Sequence, residues 1–114
     1  MQRDYIQLDS YTGDILSTCL PSDDLLYRLS GLFSMFSDST RLKIIYALSI
    51  SEMCVTDLAI ALDINQSTLS HQLKSLRSVG VISAKRRGKI IFYSASVDFV
   101  NDLMLSGVDF LRRV

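Results

Sequence analysis

The polar side chains between residues 66 and 74 have the most specific chemistry in this sequence. They are glutamine, serine, threonine, histidine and lysine side chains, with no carboxylate among them. Their positions are Gln66, Ser67, Thr68, Ser70, His71 and Lys74. Such groups form hydrogen bonds with base edges and phosphates, whereas a carboxylate would be repelled by a phosphate backbone. The segment therefore predicts a nucleic-acid-binding surface, and an ordinary solvated helix face is the alternative.

An apolar stripe in the same segment predicts that these polar residues lie on a helix. The stripe consists of Leu69, Leu73, Leu76 and Val79, at intervals of four, three and three residues. This spacing buries one face of a helix and leaves the polar side chains on the other. Asn65 can cap the helix, and Gly80 can end it in a left-handed conformation. The polar side chains are thus expected to project together from one exposed helix face.

The preceding residues predict a second, shorter helix. Apolar residues recur at helical spacing from Val55 to Leu62. Asp63 and Ile64 then connect this segment to the polar helix. Two short helices joined by a tight turn, with the second polar on its outer face, form a helix-turn-helix.

A basic β-hairpin is predicted directly after the polar helix. Residues 81–86 and 89–94 are rich in apolar and β-branched side chains and flank the turn Arg87-Gly88. Its tip contains the cations Lys85, Arg86, Arg87 and Lys89. A basic hairpin after such a helix predicts a winged helix, with the helix in the major groove of DNA and the hairpin on the flanking backbone. Arg86, Arg87 and Lys89 therefore join the candidate DNA-binding residues.

The distribution of charge agrees with this interpretation. The chain has 114 residues and zero formal net charge. Residues 1–38 contain two basic and six acidic side chains, residues 39–96 eight and three, and residues 97–114 two and three. The positive charge is thus concentrated in the proposed DNA-binding segment. A hydrophobic content of 48% and a mean hydropathy of +0.26 also predict that part of the surface is a subunit interface.

Several functional classes lack their sequence signals. No secretory leader follows Met1, and no apolar run approaches the roughly 18 to 20 residues that span a bilayer, so we expect a cytoplasmic protein without membrane contact. The two cysteines are then expected to be thiols. The sequence has no glycine-rich phosphate loop, serine elbow or metal-ligand array, which argues against an enzyme.

The whole chain is predicted to be mainly α-helical with a small β-hairpin. Residues 1–20 are interpreted as an arm or short helix, residues 21–95 as the winged helix-turn-helix core and residues 96–114 as a dimerisation helix. Ser22 is expected to cap the first core helix, whose buried face would consist of Leu25, Leu26, Leu29, Leu32, Phe33 and Phe36. The next helix would bury Leu42, Ile45, Tyr46 and Leu48. Its Arg41 could contact phosphate or pair with a local carboxylate.

The last helix, Val97 to Val114, is apolar on two faces. One stripe consists of Val97, Val100, Met104, Val108 and Leu111, and the other of Phe99, Leu103 and Phe110. An apolar surface wider than half of the circumference is typical of a helix that packs on both its own core and a partner. We therefore expect a two-fold homodimer.

Three segments, in this order, resemble the ArsR/SmtB family of small dimeric winged-helix repressors. They are Phe36–Ile45, Glu52–Ala59 and Gln66–Lys74, within a resemblance from about Leu25 to about Tyr93. The resemblance implies a homodimer that binds double-stranded operator DNA with an inverted repeat and is released by an effector. Many zinc-responsive members have two histidines on the last helix, and the corresponding positions here are Phe99 and Phe110. The resemblance therefore argues against an imidazole metal site there.

The family's other effector site uses cysteines near the start of the helix before the polar helix. Of those positions, only Cys54 is a cysteine here. Cysteines in an N-terminal extension complete the site in cadmium- and lead-responsive relatives, and Cys19 lies in such an extension. Cys19 and Cys54 are thus the candidate ligands of a thiophilic ion, Cd(II), Pb(II), Hg(II) or As(III), or the sites of thiol oxidation. Two alternatives stay open: packing cysteines in a family member with no metal site, and a winged-helix interaction module that does not bind DNA.

Overall fold

The computed structural model describes residues 8–95 and 98–113 and confirms a mainly helical fold with a small antiparallel sheet. The elements in chain order are α1 (Ser10–Cys19), α2 (Asp23–Ser34), α3 (Ser39–Ile50), β1 (Met53–Cys54), α4 (Val55–Leu62), α5 (Gln66–Ser78), β2 (Ile82–Arg87), β3 (Ile90–Ala95) and α6 (Asp98–Arg113). The chain forms two compact units, residues 1–31 and residues 32–114. None of the helices in the described ranges is long and apolar enough to cross a membrane.

The first unit contains α1 and most of α2. The Asp9 carboxylate caps α1 by accepting a hydrogen bond of 2.7 Å from the Thr12 amide, which lowers the pKa of Asp9. The Ser22 hydroxyl accepts a bond of 3.2 Å from the Leu25 amide, which confirms the predicted cap of α2. Cys19 is exposed at the end of α1. Residues 1–7 of the predicted arm lie outside the described ranges.

The predicted buried face of α2 is only partly buried within one chain. Leu32 and Phe36 are half-buried against the core of the second unit. Leu25, Leu26, Leu29 and Phe33 are between 38% and 48% exposed, which contradicts their assignment to the core of one chain. The physical reason is that an apolar stripe favours burial but does not specify whether the same chain or a partner covers it.

The core of the second unit is formed by the buried faces of α3, α4, α5 and α6, together with the start of β2. Its buried side chains include Ile44, Ile45, Leu48, Leu58, Leu69, Leu73, Leu76, Val81, Ile82 and Val100. The buried face of α3 is centred on Ile44 and Ile45, whereas Tyr46, predicted to face inward, is 37% exposed. Neighbouring side chains on a helix point in directions about 100° apart. A predicted buried face that is slightly rotated about the helix axis therefore includes Tyr46 and leaves out Ile44. Val79, also predicted to be buried, caps the end of α5 and is 40% exposed.

A three-stranded antiparallel sheet lies beside these helices in the order β1-β3-β2. The predicted hairpin forms, with Arg87 paired to Ile90 across the turn Gly88-Lys89, one residue later than predicted. Gly88 has φ +65°, the left-handed conformation that a two-residue hairpin turn requires at its first central position. Strand β1, which the sequence analysis did not predict, pairs Met53 with Tyr93 and Cys54 with Phe92.

Helix α6 confirms the predicted last helix over Asp98–Arg113, while Val97 and Val114 lie outside the described residues. Val100 is buried, and Leu103, Met104 and Val108 are half-buried. Other members of the two predicted stripes are exposed within one chain: Phe99 at 48%, Phe110 at 66% and Leu111 at 71%. The core of one chain therefore covers one side of α6 and leaves an apolar side in contact with water.

Candidate nucleic-acid interface

The turn between α4 and α5 orients the polar helix. Asp63 ends α4 in a left-handed conformation, φ +53°, and the Ile64 amide donates to the Ala59 carbonyl at 3.0 Å. The Asn65 side-chain oxygen then accepts hydrogen bonds from the amides of Ser67 at 2.8 Å and Thr68 at 3.4 Å. This double acceptance confirms Asn65 as the cap, because it satisfies amides that have no partner within the helix.

The predicted polar face of α5 is exposed along its whole length. Its members are Gln66, Ser67, Thr68, Ser70, His71 and Lys74, and all six are exposed to solvent. Behind them Leu69, Leu73 and Leu76 are each no more than 1% exposed, so the core fixes the rotation of the helix about its axis. The side-chain amide of Gln66 also donates to the Thr56 hydroxyl on α4 at 3.4 Å. The structure therefore brings the six side chains together on one face, which we call the recognition face.

The end of α5 adds a cation that the sequence analysis did not select. Gly80 has φ +82°, and the Val81 amide donates to the Leu76 carbonyl at 3.1 Å, so the chain leaves the helix by the predicted left-handed turn. Beside this end of the helix is a groove of about 460 Å³, lined by Ser70, Leu73, Lys74, Arg77, Ser78 and Tyr93. Arg77 lies one helical turn after Lys74, and this spacing could have identified it from the sequence.

The cations of the hairpin, which we call the wing, are not equivalent. Lys85, Arg86 and Lys89 are exposed and form no ion pair with any described residue. Arg87 instead forms an ion pair of 2.6 Å with the Glu52 carboxylate and stacks on Phe92, 5.2 Å from the ring centre. Because side chains alternate along a strand, Arg86 projects from the opposite face of the hairpin. Arg87 thus holds the wing to the residue before β1, while Arg86 can contact an external partner.

Arg41 is not paired with a carboxylate of any described residue, which was one of the two interpretations of it from the sequence. Its guanidinium donates to the carbonyls of Met35 at 3.3 Å and Ser34 at 3.5 Å, and to the side-chain oxygen of Gln72 at 3.5 Å. These groups are neutral, and the ion pairs among the described residues do not include Arg41. Arg41 therefore connects the end of α2 to the polar helix.

The two candidate metal ligands lie in different units of the chain. Cys54 is half-buried at the N-cap position of α4, where its side chain makes no capping hydrogen bond. Cys19 is exposed on α1 in the first unit. Within the described ranges, no group of three or more histidine, cysteine, aspartate or glutamate residues could hold a metal ion. The described part of one chain thus does not provide the ligand set of a closed metal site.

A helix-turn-helix with an exposed, carboxylate-free second helix and a basic wing defines a winged-helix DNA-binding protein. Residues 38–84 match the family model described as bacterial regulatory protein, arsR family. The cadmium resistance transcriptional regulatory protein CadC of Listeria innocua is 39% identical over 87 residues, which are 75% of this chain and 73% of that protein. The chain belongs to the ArsR family of DNA-binding transcriptional regulators, which are not enzymes.

Solved structures agree with this assignment. The antimony-specific transcriptional repressor AntR has a TM-score of 0.74 at 26% identity, covering 96% of each chain. A homodimeric winged helix-turn-helix domain from Mycobacterium bovis, described as a possible ArsR-family regulator, has a TM-score of 0.71 at 26% identity. That match covers 83% of this chain and 90% of the M. bovis chain. The winged helix-turn-helix fold predicted from the sequence is thereby confirmed.

Proposed function

We propose that this protein is a homodimeric repressor that binds an inverted-repeat operator through the recognition face and the wing. The observation that supports this most directly is the exposed face of α5, with six polar side chains and no carboxylate, followed by the basic hairpin. An accessible face of this composition matches the hydrogen-bonding groups of the major groove. A protein-interaction module that does not bind DNA would have no need of these cations.

The proposed contacts divide into two kinds. Gln66, Ser67, Thr68, Ser70 and His71 project from the first two turns of α5 and would contact base edges, since a recognition helix enters the groove by its N-terminal residues. Lys74, Arg86 and Lys89 would contact phosphates, and Arg77 joins them because it lines the same groove as Lys74. Arg87 would contribute mainly by holding the wing in place through Glu52.

The exposed apolar sides of α2 and α6 support a homodimer. Phe33 on α2 and Phe99, Phe110 and Leu111 on α6 are each at least 45% exposed in one chain. Covering such surfaces removes apolar area from water, which stabilises association. The M. bovis neighbour is described as homodimeric, which agrees with this proposal.

The signal that releases the protein from DNA would act on a thiol. Cys54 lies on β1, directly opposite Phe92 of the wing strand β3, and two residues after the Glu52 that holds Arg87. A ligand on its sulfur would therefore lie next to the attachment of the wing. One relative is named for cadmium resistance and one structural neighbour for antimony specificity, both thiophilic elements. Cys19 is the second proposed ligand, and the alternative is a repressor without a metal site.

Operator binding by the parent protein and by Cys54→Ser tests this proposal. Duplexes selected from a random pool should bind the parent more tightly than unselected duplexes, and Cd(II), Pb(II), Hg(II) or As(III) should release them. Cys54→Ser should bind DNA as the parent does but should not respond to the ions, because it lacks the ligating sulfur. Cys19→Ser is the matched second variant, expected to weaken the response.

Each part of the proposal can fail separately. Equal affinity for selected and unselected duplexes would contradict sequence-specific repression and favour the interaction module. Release of Cys54→Ser by the same ions at the same concentrations would show that the signal does not enter at this thiol.

A further inference from the structure

The guanidinium of Arg41 lies where three helices meet. It donates to the last carbonyls of the α2 region, Ser34 and Met35, and to the side-chain oxygen of Gln72 on α5. Arg41 and Gln72 are both half-buried. Arg41 belongs to the first turn of α3, so its side chain links this helix to the ends of two others.

Arg41 takes part in hydrogen bonds at two helix ends, the C-terminal end of α2 and the N-terminal end of α3, which explains its position at the junction between them. The last carbonyls of a helix have no intrahelical partner, and a nearby cation interacts favourably with them and with the helix dipole. The Asp38 carboxylate in turn accepts a bond of 2.9 Å from the Arg41 amide and so caps α3. The backbone of Arg41 thus belongs to the start of α3. Its side chain adds to hydrogen bonds at the end of α2, where the Ser34 carbonyl also accepts from the amide and hydroxyl of Ser37 at 3.2 and 2.7 Å.

Gln72 lies at the boundary between the buried and exposed sides of α5. It follows the exposed His71 and precedes Leu73, which is 1% exposed. The buried leucines set the rotation of α5 about its axis, and a hydrogen bond at this boundary further restricts the small rotations that remain. Because His71 directly precedes Gln72, such a rotation would move the side chains proposed to contact bases.

We propose that Arg41 is a positioning residue for DNA recognition, which through Gln72 restricts the small rotations of α5 that its buried leucines still allow. The inference rests on the proposed function, in which α5 binds the operator. Arginine suits this role because its planar guanidinium directs several N–H donors at fixed angles, whereas the ammonium of lysine cannot serve three separated acceptors in this way. Arg41 would affect DNA binding without contacting a phosphate.

The test compares Arg41→Gln, Gln72→Met and the double variant in the full chain. Gln72→Met keeps the length of the side chain but removes the acceptor and leaves the junction with α2 intact. Lys43→Gln is the matched control, since it removes one positive charge from an exposed position of the same helix. Affinity for the selected operator would be measured at several salt concentrations, and thermal unfolding would verify that each variant is folded.

We expect Arg41→Gln and Gln72→Met each to raise Kd for the operator roughly tenfold, the order of one hydrogen bond to a charged group. The double variant should be no weaker than Arg41→Gln, because both changes break the same link. The dependence of log affinity on log salt should keep its slope. A slope lower by about one unit per subunit would instead show a phosphate contact and overturn the proposal. Additive effects, or unchanged affinity in Gln72→Met, would also overturn it.

Amide hydrogen exchange without DNA separates this inference from the proposed function. Exchange across residues 66–78 should be faster in Gln72→Met than in the parent, and Gln72→Glu, which keeps an acceptor for Arg41, should restore it. Equal exchange in all three proteins would contradict the positioning role even if the operator is bound. Failure of the parent to bind selected DNA would contradict the proposed function and leave this exchange result unaffected.

Discussion

Arg86 and Arg87 are adjacent in the sequence but have different surroundings, and this difference sets their expected effects on DNA binding. Arg86 has no charged partner among the described residues, whereas Arg87 is paired with Glu52 and stacked on Phe92. A cation that neutralises a phosphate releases a counterion condensed on the DNA and so contributes to the salt dependence of binding. A cation already neutralised by a carboxylate contributes less.

Arg86→Ala should therefore reduce the salt slope of operator binding by about one unit per subunit, as expected for one lost phosphate contact. Arg87→Ala should reduce the slope less and should resemble Glu52→Gln in its effect on affinity. The measurement is a titration of the selected duplex at several salt concentrations. His71→Ala is the comparison for base contacts and should relax sequence preference more than it changes the slope. Equal slope losses for Arg86→Ala and Arg87→Ala would contradict the division of roles.

Among the secondary-structure elements, α5 depends most on the residue that caps it, Asn65. The Asn65 side chain accepts from two amides that the helix itself cannot satisfy. Asn65 is exposed at the end that would enter the groove, so a charge introduced at this position would affect DNA binding separately from the loss of its hydrogen bonds.

Two substitutions at this position should separate capping from charge. Asn65→Ala should lower the free energy of unfolding by about 1 kcal/mol, the usual cost of losing a cap. Asn65→Asp should retain stability, because aspartate also caps and suits the helix dipole, yet it should weaken operator binding by placing a negative charge near phosphate. Urea unfolding and DNA titration measure the two effects. Normal DNA affinity in a stable Asn65→Asp protein would argue against contact between this end of α5 and DNA.

At the scale of the whole molecule, the exposed apolar surface of α6 makes association the main expectation. Phe110 is 66% exposed in one chain, on the helix that the resemblance assigns to dimer formation. A charged residue there would remain solvated in the monomer but would be desolvated in an interface, which is costly.

Phe110→Asp should therefore shift sedimentation at micromolar concentration from dimer to monomer and abolish operator binding. Ile60→Asp is the matched control, since Ile60 on α4 is apolar and 75% exposed but does not belong to α2 or α6. It should stay dimeric. A parent protein that sediments as a compact monomer would contradict the dimer, and so would a Phe110→Asp protein that remains dimeric.

Local patterns in the sequence determined most of the fold. The cap at Asn65, the left-handed exit at Gly80, the boundaries of α4 and the basic hairpin follow from residue type and short-range spacing, and the structure confirms each of them. Such features depend on hydrogen bonds and backbone conformations within a few residues, so the sequence contains the information directly.

Which of the predicted residues have partners depends on contacts between distant parts of the chain. The pairing of Arg87 with Glu52 joins residues 35 positions apart, and that of Arg41 with Gln72 joins residues 31 apart. Strand β1 also depends on a distant partner, β3. It consists of only two residues, which is too short for an alternating pattern to reveal a strand in the sequence. The exposed side chains of α2 and α6 show the opposite case. Their hydrophobicity predicted burial, but they are exposed within the described chain, and only the packed fold distinguishes such residues from those of the core.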